Sequence, residues 1–137
     1  MTEKITSTQN PKIKNIIKLQ QKSSERRKQN LIVIEGLREL GLSINSGVIL
    51  KSVFYCPDII SQDIIEDQLN FKGNIFEISS EIYEKLAYRG STEGIIALAE
   101  PKYLKLDDLK LRENPLIIVL ESVEKPGNLG AILRTAD

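Results

Sequence analysis

The sequence predicts an α/β fold, a mainly parallel sheet with helices on both faces. Two observations carry it. Short apolar runs recur at Leu31-Ile32-Val33-Ile34, Lys51 to Cys56, Gly73 to Ile78 and Gly94 to Ala99, each of strand length and rich in β-branched or aromatic residues. Between them lie stretches of helical periodicity, from about Leu37 to Asn45, Ser61 to Leu69 and Ser80 to Tyr88, the last capped by Ser80. Repeated β-α units of this kind place helices against a largely parallel sheet.

The chain opens on capping residues, Thr6-Ser7-Thr8-Gln9-Asn10-Pro11, in which Asn10 is a good N-cap and Pro11 suits the first helical position. One helix is then expected over 10–28. Ile13, Ile16, Ile17 and Leu19 share a side, while Lys14, Lys18 and Lys22 recur every four residues on the other. Like charges one turn apart repel, so such a helix is suited to phosphate; a plain solvated face is the alternative. Arg26-Arg27-Lys28 favours nucleic acid, because clustered cations supply affinity independent of sequence.

Whole-chain charge hides this asymmetry. Residues 1–30 hold eight Lys/Arg against two acids, an excess of six positive charges; the remaining residues hold eleven against seventeen, an excess of six negative ones. The 137 residues, 41% hydrophobic, suffice for one full domain and a good core, hardly for two. No apolar run is long enough to cross a bilayer and the polar, lysine-bearing start is unlike a signal peptide, so a cytoplasmic protein is expected. The lone Cys56 cannot form an internal disulfide, which fits a reducing compartment, and its apolar context reads as core. The chain contains no histidine, which removes Ser-His-Asp triads, His-ligated metals and imidazole bases.

After the first strand, Glu35-Gly36 leads into the helix bearing Arg38; Glu35 is expected to serve structure. Ahead of the last strand of the series lies Tyr88-Arg89-Gly90-Ser91-Thr92-Glu93-Gly94. In this polar loop an aromatic ring, hydroxyls and Arg89 suit a base and its phosphate, while the Glu93 carboxylate repels phosphate. Residues 101–115 are charged and bracketed by prolines, with a single helical turn expected near Asp107-Asp108-Leu109; they read as a linker. Beyond it, Leu116-Ile117-Ile118-Val119-Leu120 predicts a strand buried on both faces, Pro126-Gly127 a turn, and Asn128 the N-cap of a helix. On that helix Leu129, Ile132, Leu133 and Ala136 form an apolar stripe, and Gly130, Arg134 and Asp137 another that is cleared by the glycine.

The string Leu-x-Ser-Val-x-x-Pro-Gly-Asn-Leu-Gly-Ala-Ile-Leu-Arg-Thr-Ala-Asp, ending at Asp137, resembles the first motif of the SpoU/TrmH group of SPOUT RNA 2′-O-ribose methyltransferases. Arg-Arg-Lys-x-x-Leu-x-x-x-Glu-Gly-x-Arg, from Arg26 to Arg38, is similar to the start of that group's substrate-binding domain, although Glu93-Gly94 stands where Gln-Gly is common there. The resemblance implies a three-layer α/β/α substrate-binding domain over 1–100, like small RNA-binding ribosomal proteins. A linker over 101–115 and the truncated start of a knotted SPOUT domain over 116–137 would follow. It also implies that Arg134 and Asn128 are catalytic, that Arg38 is a matching RNA-binding position, that the polyanion met by Lys14, Lys18, Lys22, Arg26, Arg27, Lys28 and Arg89 is rRNA or tRNA, and that the full-length protein is a homodimer. The methyl donor it implies is S-adenosylmethionine, held by a segment outside this sequence, so residues 1–137 alone are expected to bind RNA without methylating it. A stand-alone RNA-binding module of the same fold is the alternative; it would have no use for the Asn128-to-Arg134 string. A nucleotide-binding α/β domain is disfavoured, since neither a dinucleotide-type nor a P-loop glycine pattern is present.

Overall fold

The computed structural model describes residues 2–88 and 93–136, which fall into two compact units, Met1–Tyr103 and Leu104–Asp137. The first unit runs β1 (Glu3–Ile5), α1 (Pro11–Gln21), α2 (Ser23–Gln29), β2 (Ile32–Glu35), α3 (Leu37–Asn45), β3 (Ile49–Tyr55), α4 (Gln62–Leu69), β4 (Asn74–Ile78), α5 (Ser80–Leu86) and β5 (Ile95–Glu100). Strand order is β1-β4-β3-β5-β2. β1 escapes sequence reading because it is three residues long and only Ile5 is buried.

The sheet is mixed, which corrects the expectation of a mainly parallel one. β1, β4 and β3 are parallel neighbours, whereas β5 runs antiparallel to both β3 and β2. The reason lies in the connection after α5. The Tyr88 N–H donates to the Glu35 carboxylate at the end of β2, and the Gly94 carbonyl accepts from Cys56 N–H at the end of β3. The chain therefore enters β5 from the edge at which β2 and β3 finish, and must run back against them.

Side chains alternate across the sheet and fill two cores. On one face Phe54, Phe76, Ile78 and Ile96 pack beneath Ile13, Ile16 and Leu19 of α1 and Ile82, Tyr83 and Leu86 of α5. Phe54 and Phe76 stack with centroids 4.9 Å apart. On the other face Val53, Tyr55, Ile95 and Ala97 meet Leu40 of α3 and Ile65 and Leu69 of α4. Each large side chain so buried contributes about 1.5–3 kcal/mol. The small side chain of Cys56 joins the first core, fully buried as its apolar context predicts. Helix starts are close to those read from the sequence: Asn10 Oδ1 accepts from Lys12 N–H at 2.9 Å, and α5 is capped by Ser79, one residue earlier than expected.

The single helix expected over 10–28 is two. Lys22 adopts extended angles (φ −121°, ψ 110°) and α2 restarts at Ser23. After Leu19 no apolar residue follows until Leu31, so nothing anchors a straight continuation to the sheet. Instead α2 folds back against α1 through polar contacts. Arg26 Nη1 donates to the carbonyls of Leu19 (2.6 Å) and Gln20 (3.2 Å), and the amides of Asn15 and Gln29 exchange two bonds of 2.9 Å.

The second unit holds a single 3-10 turn at Leu106–Asp108 and helix α6 (Pro126–Ala136). The strand expected at 116–120 does not form: among the described residues this run pairs with no strand and stays exposed, Leu116 at 91% and Val119 at 86%. A strand needs a neighbour for its ladder bonds, and this unit offers none. Helix α6 begins two residues before Asn128, with Pro126 at its first position and the Lys125 carbonyl accepting from Asn128 N–H at 3.0 Å. Asn128 is thus inside the helix and not its cap.

Candidate nucleic-acid interface

The cationic residues from Lys14 to Lys28 lie on the α1–α2 corner, because the apolar residues of α1 are spent on the sheet. Lys14, Lys18, Lys22, Arg27 and Lys28 are exposed and Arg26 is half-buried. Their electrostatic situations differ. Lys18 Nζ lies 3.4 Å from Glu25 Oε2, which offsets its charge, and Arg26 keeps its charge but is tied to carbonyls at the end of α1. Glu25 is held below the usual carboxylate range, first by the Gln29 amide and then by Lys18. Among the described residues Lys14, Lys22, Arg27 and Lys28 have no hydrogen bond or ion pair from their side chains. Lys12, which the basic pattern had left aside, is paired with Glu3 at 2.9 Å and sits 4.8 Å above the Phe76 ring.

A second set of groups gathers where β2 and β3 end and β5 begins. Gly36 (φ 100°) turns the chain from β2 into α3, a conformation natural to glycine. The next amide, Leu37 N–H, donates to Glu93 Oε2 at 2.6 Å, although the two residues are 56 apart in sequence. A carboxylate at a helix start answers both its unpaired amides and its positive end. The sequence signal for Glu93 was only that it would repel phosphate; its capping role had none, since the partner is remote. Gly94 (φ 73°) follows, donating its N–H to the Tyr83 hydroxyl at 2.9 Å. Glu35 does serve structure, but its partner is Tyr88 N–H (3.0 Å), while Arg38 is exposed and has no ion pair among the described residues. Arg89 lies outside the described residues, as do Gly90, Ser91 and Thr92.

In the second unit Arg134 sits on the exposed surface of α6 with Gly130 one turn before it. A side chain at Gly130 would meet nothing within 4 Å, so this unit's packing does not demand the glycine. Asn128 lines a hollow of about 360 Å³ with Ser122, Val123, Glu124, Lys125 and Ile132. Of these only Val123 and Ile132 are half-buried. An adenine ring needs a more enclosed apolar slot than that, so these residues do not fit S-adenosylmethionine. Among the described residues no group of three or more Cys, Asp or Glu could hold a metal, and no helix is long and apolar enough to cross a membrane.

Residues 10–97 match the MRM3-like substrate binding domain. An uncharacterized tRNA/rRNA methyltransferase of Synechocystis sp. is 31% identical over 96% of this chain and 48% of its own length. A crystal structure of an RNA 2′-O ribose methyltransferase superposes with a TM-score of 0.80 at 33% identity, over 98% of this chain and 51% of that one. The AdoMet-bound rRNA methyltransferase from Sinorhizobium meliloti shares the fold, with a TM-score of 0.73 at 23% identity over 98% of this chain and 50% of that one. The chain thus spans about half the length of each of these three. On its matched residues the chain belongs to the MRM3-like substrate-binding domain family, and its relatives include SpoU/TrmH-type rRNA and tRNA methyltransferases.

Proposed function

We propose that this chain recognises RNA for a 2′-O-ribose methyltransferase acting on rRNA or tRNA in the cytoplasm, with the α1–α2 corner meeting the phosphate backbone. The observation that carries the reading is the pairing, in one chain, of that family-matched domain with the Pro126-to-Arg134 string on an exposed helix. Residues 116–137 are read as the opening of the knotted catalytic domain, in which Leu116–Leu120 gains strand neighbours. The methyl donor is proposed to be S-adenosylmethionine, by likeness to relatives, and no residue of 1–137 is assigned to hold it. The working enzyme is proposed to be a homodimer.

Within that reading Arg134 touches the RNA. Its guanidinium stays protonated in ordinary surroundings, so a role as general base is disfavoured. Its planar fork instead matches two phosphate oxygens and fixes the ribose beside them, where the 2′-hydroxyl is the nucleophile. Gly130 leaves room for the RNA backbone to approach that side chain, and Asn128 shapes the adjoining surface. Residues 1–137 alone are proposed to bind RNA without methylating it, since α6 has no buried residue to hold Asn128 and Arg134 in place.

The test is nucleotide-resolution mapping of 2′-O-methylation in rRNA and tRNA from cells with the gene deleted. One mark is expected to vanish, to return with the intact gene, and to stay absent or fall at least tenfold with the Arg134→Lys form. Unaltered marks after deletion would refute the activity; full rescue by Arg134→Lys would refute the role given to the guanidinium.

A further inference from the structure

A groove of about 810 Å³ opens where α1 and α5 both stop short of the edge strand β2. Leu19 and Leu86, fully buried, lie at its base, and Val33 and Ala87, half-buried, line its sides. Tyr88, 67% exposed, adds an aromatic ring. Three polar groups of this surface are already satisfied. The Leu86 carbonyl accepts from Gln20 Nε2 at 2.7 Å, the Leu19 carbonyl accepts from Arg26, and the one lining acid, Glu35, is held by Tyr88 N–H. What remains is an apolar slot with Lys85 as its unpaired lining cation. Lys85 lines it, Lys22 follows the lining Gln21, and Arg27 follows the lining Arg26; none of the three has a side-chain partner among the described residues.

An apolar, aromatic-edged slot with an unpaired lysine in its lining and the cations of the α1–α2 corner next to lining residues matches one ligand chemistry above others, a flat base flanked by phosphates. Paired bases are ruled out by geometry, since an RNA duplex keeps its base faces stacked and its major groove too deep and narrow for side chains. We propose that this groove holds a single unpaired nucleobase extruded from the RNA, with the neighbouring phosphates on Lys22, Arg27 and Lys85. The proposal rests on the RNA-binding reading above and deepens it. Sequence-tolerant stacking on the ring would add to the charge-driven affinity of the α1–α2 corner.

The experiment measures binding of the 137-residue chain, by fluorescence anisotropy at fixed salt, to labelled RNA homopentamers of A, C and U, each beside a copy with an abasic central ribose. At least one intact pentamer is expected to bind about tenfold more tightly than its abasic copy. Tyr88→Ala should erase that ratio and Tyr88→Phe preserve it; both leave the Tyr88 backbone bond to Glu35 in place. Equal binding of intact and abasic strands overturns the groove while leaving the RNA reading standing, as does a ratio that survives Tyr88→Ala. No binding to any pentamer at low salt overturns both. Sedimentation of the chain alone completes the set: self-association abolished by Val33→Asp would make the groove a contact between copies and overturn the proposal.

Discussion

Glu93 does two things that pull in opposite directions. Its carboxylate caps α3 by accepting from Leu37 N–H, and its charge opposes any phosphate brought to the same edge of the sheet. Glu93→Ala is expected to cost about 1 kcal/mol of stability through the lost cap. Glu93→Gln keeps an acceptor oxygen and should cost less, while tightening RNA binding by removing the charge; urea denaturation and RNA titration together separate the two effects. Gly94 is less forgiving. Its φ of 73° disfavours any side chain, and a methyl there would come within 2.7 Å of Ile59 Cβ. Gly94→Ala should therefore destabilise the first unit by about 3 kcal/mol, read as a lower urea midpoint with an unchanged slope. The glycine was visible in the sequence as loop punctuation; the contact with Ile59 was not, because it joins segments 35 residues apart.

At the scale of elements, the α1–α2 corner sorts the basic residues by their neighbours. Lys12, Lys18 and Arg26 are already committed within the fold, so the charge offered to a polyanion comes from Lys14, Lys22, Arg27 and Lys28. Alanine at any of these four that meets a phosphate should lower the slope of log affinity against log salt by about 0.7–0.9. Alanine at Lys18 should change that slope less. Identical losses at all positions would show that the pairing seen here is irrelevant to RNA. The periodicity of lysines at 14, 18 and 22 was plain in the sequence, yet it suggested one continuous face; the extended angles at Lys22 turn the third lysine away from that register. The cause is the missing apolar anchor after Leu19, and the polar clasp of Asn15 with Gln29 that replaces it comes from residues that carry no helix-helix signal by themselves.

The first unit, which holds most of the molecule, is a sheet with an apolar core on each face, and a polar handle at its margin makes its stability sensitive to alkali. Tyr55, 5% exposed, has its phenol pushed above the usual value near 10.0, chiefly by burial and then by the Glu77 and Glu66 carboxylates. Its hydroxyl donates to Gln62 Oε1 at 3.2 Å. A raised pKa in the fold means that the folded chain holds this proton more tightly than the unfolded one. The stabilisation is fully present below pH about 10 and is lost as pH rises through the higher folded value. Lys4, raised by its hydrogen bond to Glu77 and that residue's charge, weakens over the same alkaline range. The urea midpoint should hence fall as pH rises above about 10, and less steeply in Tyr55→Phe; an identical fall in both would clear Tyr55 of the effect.

The sequence by itself determined what depends on near neighbours: the alternation that makes strands, the helical stripes that bury Ile13, Ile16, Leu40 and Ile65, the Asn10 cap, and the string from Leu120 to Asp137 that points to a family. The tertiary structure alone decided the direction of β5, the seat of Glu93 on α3, the break at Lys22 and which cations keep a free charge. Each of these is a contact between residues far apart in the chain, and local propensity carries no information about a partner that only folding brings within reach. The exposed run at 116–120 shows the same rule from the other side: its composition is that of a buried strand, but a ladder needs a second strand to bond with, and composition cannot provide one.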